Sequence, residues 1–242
     1  MRKTETLRAL HRRPDPADPL ILPGPWDAAS ARAFVDAGFP ALATPSAGVA
    51  ASLGYEDGQT PADEMFAAVT RIARAVDVPV SADVEDGYGI APRELVERLL
   101  EAGVAGCNLE DSADGVLKDP NAHAGWLAEV RAAAGASLFV NARIDTFLYG
   151  DGDPERALER AASYVAAGAD CVYPIGAPPE VLPLLRAGIE GPINAFARLD
   201  GAGPSLAELG ERGATRITFG PGLQRRATEA LRRIAAEVTA RA

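Results

Sequence analysis

The stretch Val80-Ser-Ala-Asp83-Val-Glu85-Asp86-Gly-Tyr88-Gly89 decides how this chain is read. It closes the apolar run Val76-Asp-Val-Pro-Val80, which reads as a buried strand, and Gly87-Tyr88-Gly89 reads as the turn that ends it. Three carboxylates, Asp83, Glu85 and Asp86, therefore stand together at a strand end. Strand side chains alternate, so Asp83 and Glu85 are expected on one side and Val84 on the other. Like charges on one face repel unless a cation sits between them. Hard oxygen ligands suit Mg2+, which keeps several waters and takes one or two protein carboxylates. A solvated acidic loop is the competing reading of an isolated Asp-x-Glu. The next apolar run shifts the balance, because Gly103-Val-Ala-Gly-Cys-Asn-Leu-Glu110-Asp111 again ends in carboxylates.

Outward from this pair the same unit repeats. Apolar runs at 19–24, 40–46, 78–83, 106–110, 137–143, 171–175, 192–197 and 216–220 read as strands. Helical patterns follow at 27–38, from Pro61, at 92–103, about 121–134, 153–168, 178–187, 205–213 and about 223–241, while 47–58 reads as a loop. Asp27 and Asp153 stand at expected N-caps and Gly38, Gly103 and Gly168 at helix ends. The strands look apolar throughout, as in a parallel sheet covered on both faces. Eight strand–helix units in 242 residues predict an α/β fold, a closed (β/α)8 barrel. An open doubly wound sheet would need a Gly-rich phosphate turn after the first strand, and Pro23-Gly-Pro-Trp-Asp27 is not one. No internal linker divides the chain, so 1–242 is expected to be one barrel domain, with 1–18 as an N-terminal helix and a Pro/Asp linker. In such barrels the chemistry sits at the strands' C-terminal ends. Asp27, Thr44, Ser46, Asp83, Glu85, Glu110, Asp111, Asn141, Arg143, Asp145 and Asn194 all fall there.

The bulk properties narrow the function. Hydrophobic residues make up 48% of the chain, enough for a large core. A net charge of −10 argues against a nucleic-acid surface, which needs a basic stripe. No run reaches the ~18 apolar residues of a membrane span, and no signal peptide is visible, so a cytoplasmic protein with no membrane partner is expected. Cys107 and Cys171 lie in apolar runs whose spacing fits neither a zinc site nor a disulfide framework, and both read as core thiols.

Several motifs occur in one register between about Pro23 and Gly220: Pro-x-x-Trp26-Asp-Ala-x-Ser-Ala, Thr44-Pro-Ser-Ala-Gly-Val-Ala-x-Ser-Leu-Gly-Tyr-Glu-Asp57-Gly, Ala82-Asp-Val-Glu-Asp-Gly-Tyr-Gly, Asn108-Leu-Glu-Asp-Ser and Asn141-Ala-Arg-Ile-Asp-Thr. Together they resemble the isocitrate lyase/phosphoenolpyruvate mutase superfamily. The resemblance implies a Mg2+-dependent barrel enzyme, with Mn2+ as the alternative ion, that makes or breaks C–C or P–C bonds next to a 2-oxo acid. It also implies a homodimer or homotetramer whose subunits exchange the last barrel helix. Carried over by position, Asp83 matches the carboxylate closest to the metal, and Glu85 and Glu110 match acids that act through water. Ser46, Ala47 and Gly48 match the loop that holds the substrate's carboxylate or phosphonate, for which a nest of amides is suited. Asp57 matches the loop acid near the reacting group, and Arg143 the arginine that meets the substrate's second anionic group. Tyr88, Asn141 and Asn194 stand at substrate-contact or supporting positions.

The sequence also departs from the superfamily. Isocitrate and 2-methylisocitrate lyases carry Lys-Lys-Cys-Gly-His after the fourth strand, where this chain has Ser112-Ala-Asp-Gly-Val-Leu-Lys-Asp-Pro-Asn-Ala-His123. The thiol that protonates their product is missing, which argues against those two activities. The short loop resembles the branch often labelled carboxyvinyl-carboxyphosphonate phosphorylmutase. The expected activity is cleavage of a C–C bond in a small 2-oxo or 2-hydroxy carboxylate. P–C chemistry on a phosphonopyruvate-like acid and a non-catalytic 2-oxo acid binder are the alternatives. A sugar-phosphate barrel is weaker, with only Phe219-Gly-Pro-Gly-Leu223 as a faint phosphate loop.

Overall fold

The computed structural model describes residues 3–12 and 15–241; Arg13 and Pro14 of the expected linker lie outside them. In chain order the elements are α1 (Lys3–Leu10), β1 (Leu20–Ile21), α2 (Ala28–Asp36), β2 (Leu42–Ala43), α3 (Ser46–Leu53), α4 (Ala62–Ala73), β3 (Val80–Asp83), α5 (Pro92–Glu101), β4 (Gly106–Leu109), β5 (Ser112–Ala113), β6 (Val116–Leu117), α6 (Pro120–Ala134), β7 (Phe139–Ile144), α7 (Thr146–Tyr149), α8 (Pro154–Ala166), β8 (Cys171–Pro174), α9 (Leu182–Gly188), β9 (Asn194–Phe196), α10 (Leu206–Glu211), β10 (Arg216–Thr218) and α11 (Gly222–Thr239).

Eight of these strands form a parallel ring. Five pair in the order β2-β3-β4-β7-β8 and three as β1-β10-β9. Two seams close the circle: a parallel bridge from Val172 to Ile193 joins β8 to β9, and the Ala43 N–H donates to the Pro23 carbonyl at 3.1 Å, joining β2 to the end of β1. The expected (β/α)8 barrel is thus the fold. Asp27 caps α2 by accepting from the Ser30 N–H at 2.7 Å, and Asp153 caps α8. Gly38, Gly103 and Gly168 end their helices at φ of 95°, 77° and 99°, a left-handed backbone that glycine enters without Cβ cost.

The core is the shell between strands and helices, where Leu42, Val69, Ile72, Val80, Leu95, Leu109 and Ile144 are wholly buried. α1 covers the N-terminal end of the ring. Leu7 packs with Leu20, Phe139 and Cys171, and Arg8 binds Asp170 and the Ala136 and Leu138 carbonyls. The opposite end, where the strands finish, is left for chemistry.

Three sequence expectations change. Residues 46–53 form helix α3 rather than a loop. β3 ends at Asp83, and Glu85 has a left-handed backbone (φ 52°), so strand alternation does not orient that pair. The strands are not apolar throughout: Ser81, Asn108, Asn141, Asn194, Arg216 and Thr218 are buried along the ring. Both cysteines are buried and free, as expected. Among the described residues no helix is long and apolar enough to cross a membrane.

Candidate active site

At the C-terminal end of the ring lies an acidic cleft of about 420 Å3. Ser46 from α3, Asp57 from the following turn, Glu85 and Tyr88 after β3, Glu110 after β4 and Arg143 near the end of β7 all line it. The β5–β6 hairpin and Tyr149 of α7 form its rim. The only non-glycine residues with positive φ among the described residues are Glu85 (52°), Tyr88 (57°) and Asp114 (50°), and all three line this cleft. Such backbone is costly for side-chain-bearing residues and collects where geometry serves function.

Asp83 ends β3 just below the cleft floor. Its Oδ2 accepts from the Ser46 hydroxyl at 3.0 Å and the Ser46 N–H at 3.3 Å. The Ser46 hydroxyl is therefore engaged by Asp83. Ser46 to Gly48 form the first turn of α3, and no side chain caps that turn. Amides of a first helical turn lack intrahelical acceptors and suit an anion. A Cβ on Gly48 would lie 2.8 Å from Pro45 Cγ, so this turn fits only glycine there.

Asp83 Oδ1 and Glu85 Oε1 are both buried with no hydrogen-bond partner. Burial, then the charges of Asp83, Asp57 and Asp86, push the Glu85 carboxyl up to about 7. Burial and the neighbouring Asp83 push Glu110 to about 9. Burial also raises Asp83, with Arg143 and Ser46 opposing it. These carboxylates crowd one another with too little positive charge among them. Among the described residues no three acidic, histidine or cysteine side chains converge as a closed metal-ligand set.

Arg143 is the cation of the cleft, and it is doubly committed. It pairs with Glu110 through Nη1 and with Asp145 through Nε at 2.5 Å. Asp145 is wholly buried, accepts from the Ser112 hydroxyl, and donates its N–H to Asp111 Oδ1 at 2.8 Å. Asp111 Oδ2 accepts from Arg160 Nη1 at 2.9 Å and from the Tyr164 hydroxyl at 2.8 Å. Arg160 also donates to the Lys118 carbonyl at 2.9 Å, pinning the end of the hairpin segment. The Arg143–Asp145 pair is only two residues apart and open to sequence reasoning, but the links from Asp111 to Asp145, Arg160 and Tyr164 span 34, 49 and 53 residues and were not found.

Of the residues expected at the site, Ser46, Asp57, Glu85, Tyr88, Glu110 and Arg143 meet at the cleft, with Asp83 against Ser46 and Ala47 and Gly48 beside it in α3. Asn141 and Asn194 are wholly buried within the ring, where the Asn141 Nδ2 donates to Asn108 Oδ1 at 2.7 Å and Asn194 Oδ1 accepts from Thr218. His123 is buried and stacked on Trp126, and burial, with Lys118, lowers its pKa to about 3, leaving a neutral ring. Cys107 is buried in β4, and burial pushes its thiol up to about 12.

A parallel barrel with clustered carboxylates, one bridging arginine and a helix N-terminus at its strand ends has the layout of an enzyme site. The profile of the family described as phosphoenolpyruvate phosphomutase matches residues 7–239, and the chain belongs to that family. A protein of Mycobacterium tuberculosis without an assigned function is 35% identical over 204 residues, covering 84% of this chain and 78% of its own. A candidate phosphonomutase from Burkholderia cenocepacia J2315 superposes with a TM-score of 0.87 at 40% identity, covering 99% of this chain and all of the other. A 2,3-dimethylmalate lyase, described as a PEP mutase/isocitrate lyase superfamily member, superposes at 0.85 with 27% identity, covering 99% of this chain and 88% of that one. The chain therefore stands among enzymes that include both lyases and mutases.

Proposed function

We propose that this protein is a Mg2+-dependent lyase that cleaves a C–C bond of a small 2-oxo or 2-hydroxy carboxylate. The observation that carries the reading is the pair of orphaned buried oxygens, Asp83 Oδ1 and Glu85 Oε1, beside an uncapped helix turn. The donor set fits Mg2+ (or Mn2+) held by Asp83 directly and by Glu85 and Glu110 through water, because such an ion keeps several waters and needs few protein ligands. When bound, the ion supplies Lewis-acid stabilisation of the oxyanion that develops as the bond beta to a carbonyl breaks.

The chain's own residues supply the rest. The Ala47 and Gly48 amides receive the substrate carboxylate. Ser46 orients Asp83 and so fixes the acid relative to those amides. Arg143, held flat between Glu110 and Asp145, turns its remaining donors to the leaving portion. Asp57, exposed on its turn, closes the solvent side. Tyr88 buries its hydroxyl against the acids and excludes water from them. No thiol reaches the cleft, so the proton returned to the product comes from a different group than in lyases with a loop cysteine.

P–C chemistry is the second reading, favoured by the candidate phosphonomutase of similar length. A panel of oxaloacetate, 2-methylisocitrate, alkylmalates and phosphonopyruvate, assayed with Mg2+ for pyruvate and phosphate together, separates the two. Pyruvate alone supports C–C cleavage. Pyruvate with phosphate moves the protein to P–C hydrolysis, and phosphoenolpyruvate from phosphonopyruvate to a mutase. Silence, with Mg2+ and a 2-oxo acid still binding, makes it a binder.

We also propose a homo-oligomer. Helix α11 buries none of its residues in its own barrel, and Leu231, Ile234 and Val238 are 65%, 55% and 64% exposed along one stripe. An apolar stripe left exposed along a helix is expected against a second copy, and light scattering of the purified protein tests it.

A further inference from the structure

Three asparagines stand on the strands of the ring, and one differs from the others. Asn141 and Asn194 are wholly buried, whereas Asn108 keeps 7% exposure. Asn108 pairs in register with Asp83 on one neighbouring strand and with Asn141 on the other. Strand alternation places Glu110 one step above Asn108 and Arg143 one step above Asn141. The hydrogen-bonded amides of Asn108 and Asn141 therefore lie beneath the Glu110–Arg143 ion pair, at the depth of Asp83.

The chemistry of this layer allows the Asn108 amide one orientation. Its Oδ1 accepts from Asn141 Nδ2 at 2.7 Å and, at a longer 3.4 Å, from Arg216 Nη2. Arg216 is wholly buried on β10, and a guanidinium donates hydrogen bonds but accepts none. The atom that Asn108 turns to Arg216 is therefore its oxygen. Asn141 then turns its nitrogen to the same oxygen, and its own Oδ1 is left buried with no donor. Arg216 Nε and Nη1 and Asn194 Nδ2 are likewise buried without partners, a costly arrangement for an interior. Asn108 Nδ2 is not among these sealed atoms, and it has no hydrogen-bond partner among the described residues. It does not donate to Asp83, whose Oδ1 is itself unpartnered. The layer thus holds a neutral N–H donor, aimed away from Asn141, among groups that are nearly all acids.

We propose that Asn108 is a substrate-contact residue of the acidic cleft, with Nδ2 donating to an oxygen of the bound acid. Arg216 is the positioning residue that fixes this orientation from below. The inference rests on reading the cleft as the Mg2+-dependent site of a small anionic acid. Around the ring Asn108 stands between Asp83 on β3 and Arg143 on β7, so its donor serves the floor between them.

The test is calorimetric titration of the whole protein with oxalate, a small planar dianion, at fixed free Mg2+, with Mg2+ alone titrated separately. Circular dichroism checks the fold of each variant. N108D keeps the oxygen that faces Arg216 and loses the donor. N108L/R216M loses the donor without stranding a buried charge or adding a new one. Both should still bind Mg2+, and oxalate affinity should fall at least about tenfold in each, as expected for a lost hydrogen bond to a charged group. R216M, which frees the amide to turn, should lose affinity several-fold, and R216K, which keeps a donor there, should recover most of it. Oxalate binding at wild-type strength in N108L/R216M overturns the inference and makes Asn108 a packing residue. Loss of Mg2+ binding alongside oxalate in that variant also overturns it, because the layer would then serve only to support Asp83. Wild-type affinity in R216M removes Arg216 from the positioning role. Failure of the wild-type protein itself to bind oxalate with Mg2+ would instead take down the reading of the cleft, and this inference with it.

Discussion

Replacing Asp111 by alanine should cost more stability than any other single change near the cleft. The carboxylate is wholly buried and accepts from the Asp145 N–H, Arg160 Nη1 and the Tyr164 hydroxyl, all within 2.8–2.9 Å. Removing one partner of a buried ion pair costs ~3–5 kcal/mol, because the other charge stays buried and unpaired. The orphaned N–H and hydroxyl add to this, though less than the ~1–3 kcal/mol each would cost alone, since all three share one acceptor. An overall loss of about 4 kcal/mol is expected for D111A. D111N keeps the shape and most acceptor geometry and should lose about half of that. In D111A/R160A the stranded charge is gone, so the pair should show a coupling of at least ~1 kcal/mol. Guanidinium unfolding followed by circular dichroism reads these values, with the slope checked for constancy. Activity should fall with stability, because Asp145 carries Arg143 and hangs on Asp111. If D111A unfolds within ~1 kcal/mol of the wild type, Asp111 is not the hub and the account of how Arg143 is held fails.

Asp83→Ala should abolish metal-dependent activity with little loss of fold; full activity with Mg2+ still required would remove Asp83 from the metal site. Arg143→Lys keeps a positive charge but loses the fork that spans Glu110 and Asp145, so kcat/KM should drop ~100-fold or more; a variant within twofold of wild type would free Arg143 from any contact with substrate. Stability should also depend on pH in a defined sense. Glu85 and Glu110 have folded pKa values of about 7 and about 9, above the ordinary 4.5, so the folded chain holds these protons more tightly than the unfolded one. Their contribution is present at low pH and is lost as pH rises through those values. His11 and His123, lowered to about 3 by burial, act oppositely but only below 6.5. Between pH 7 and 9 the metal-free protein should therefore lose on the order of 2 kcal/mol, and Mg2+ should restore most of it; calorimetric melting with EDTA or Mg2+ checks this, and a flat metal-free profile would contradict it.

Much of the barrel was legible because local chemistry and global fold agree in it. Apolar runs, Asp27 and Asp153 caps and glycines at helix ends mark the elements independently. Helix α3 was not legible: Ser46-Ala-Gly-Val-Ala-Ala-Ser-Leu53 has glycine inside, proline at its N-cap and no capping side chain. It is helical because Val49 and Ala50 bury into the core and Gly54 closes it with φ 90°. The β5–β6 hairpin did carry a signal, since Asp114-Gly115, both at positive φ, is a preferred two-residue turn. Unlike β1 and β2, which are as short but lie inside longer apolar runs, β5 and β6 have no apolar run around them and did not register as a pattern. At the site, the acids were readable from their place after apolar runs, but their supports were not. Arg160 and Tyr164 lie on a helix face that sequence alone assigns to packing, and their partner Asp111 is 49 and 53 residues away.

The charge pattern of the cleft bears directly on the proposed chemistry. Its lining has more carboxylates than cations, and Arg143 is neutralised by Glu110 and Asp145. With Glu85 and Glu110 holding protons through burial and crowding, and Arg143 already engaged, a small dianion approaching Ala47 and Gly48 meets no free positive charge in the metal-free protein. Were anion binding the whole task, such a set of acids would be a handicap, and an arginine-rich pocket would serve better. The acids make sense if a divalent cation is recruited first, because the same acids that offer the substrate nothing draw in the ion. The ion then supplies the positive charge at the point where the substrate's oxygens must sit. This also accounts for the strained backbone at Glu85 and Tyr88. A regular strand would send Glu85 along the ring's own alternation, whereas the left-handed turn, held by the Gly87 N–H on the Val84 carbonyl and the Glu110 N–H on the Glu85 carbonyl, carries it into the cleft that Glu110 also lines, a conformational cost that the proposed cation among the acids would help to offset.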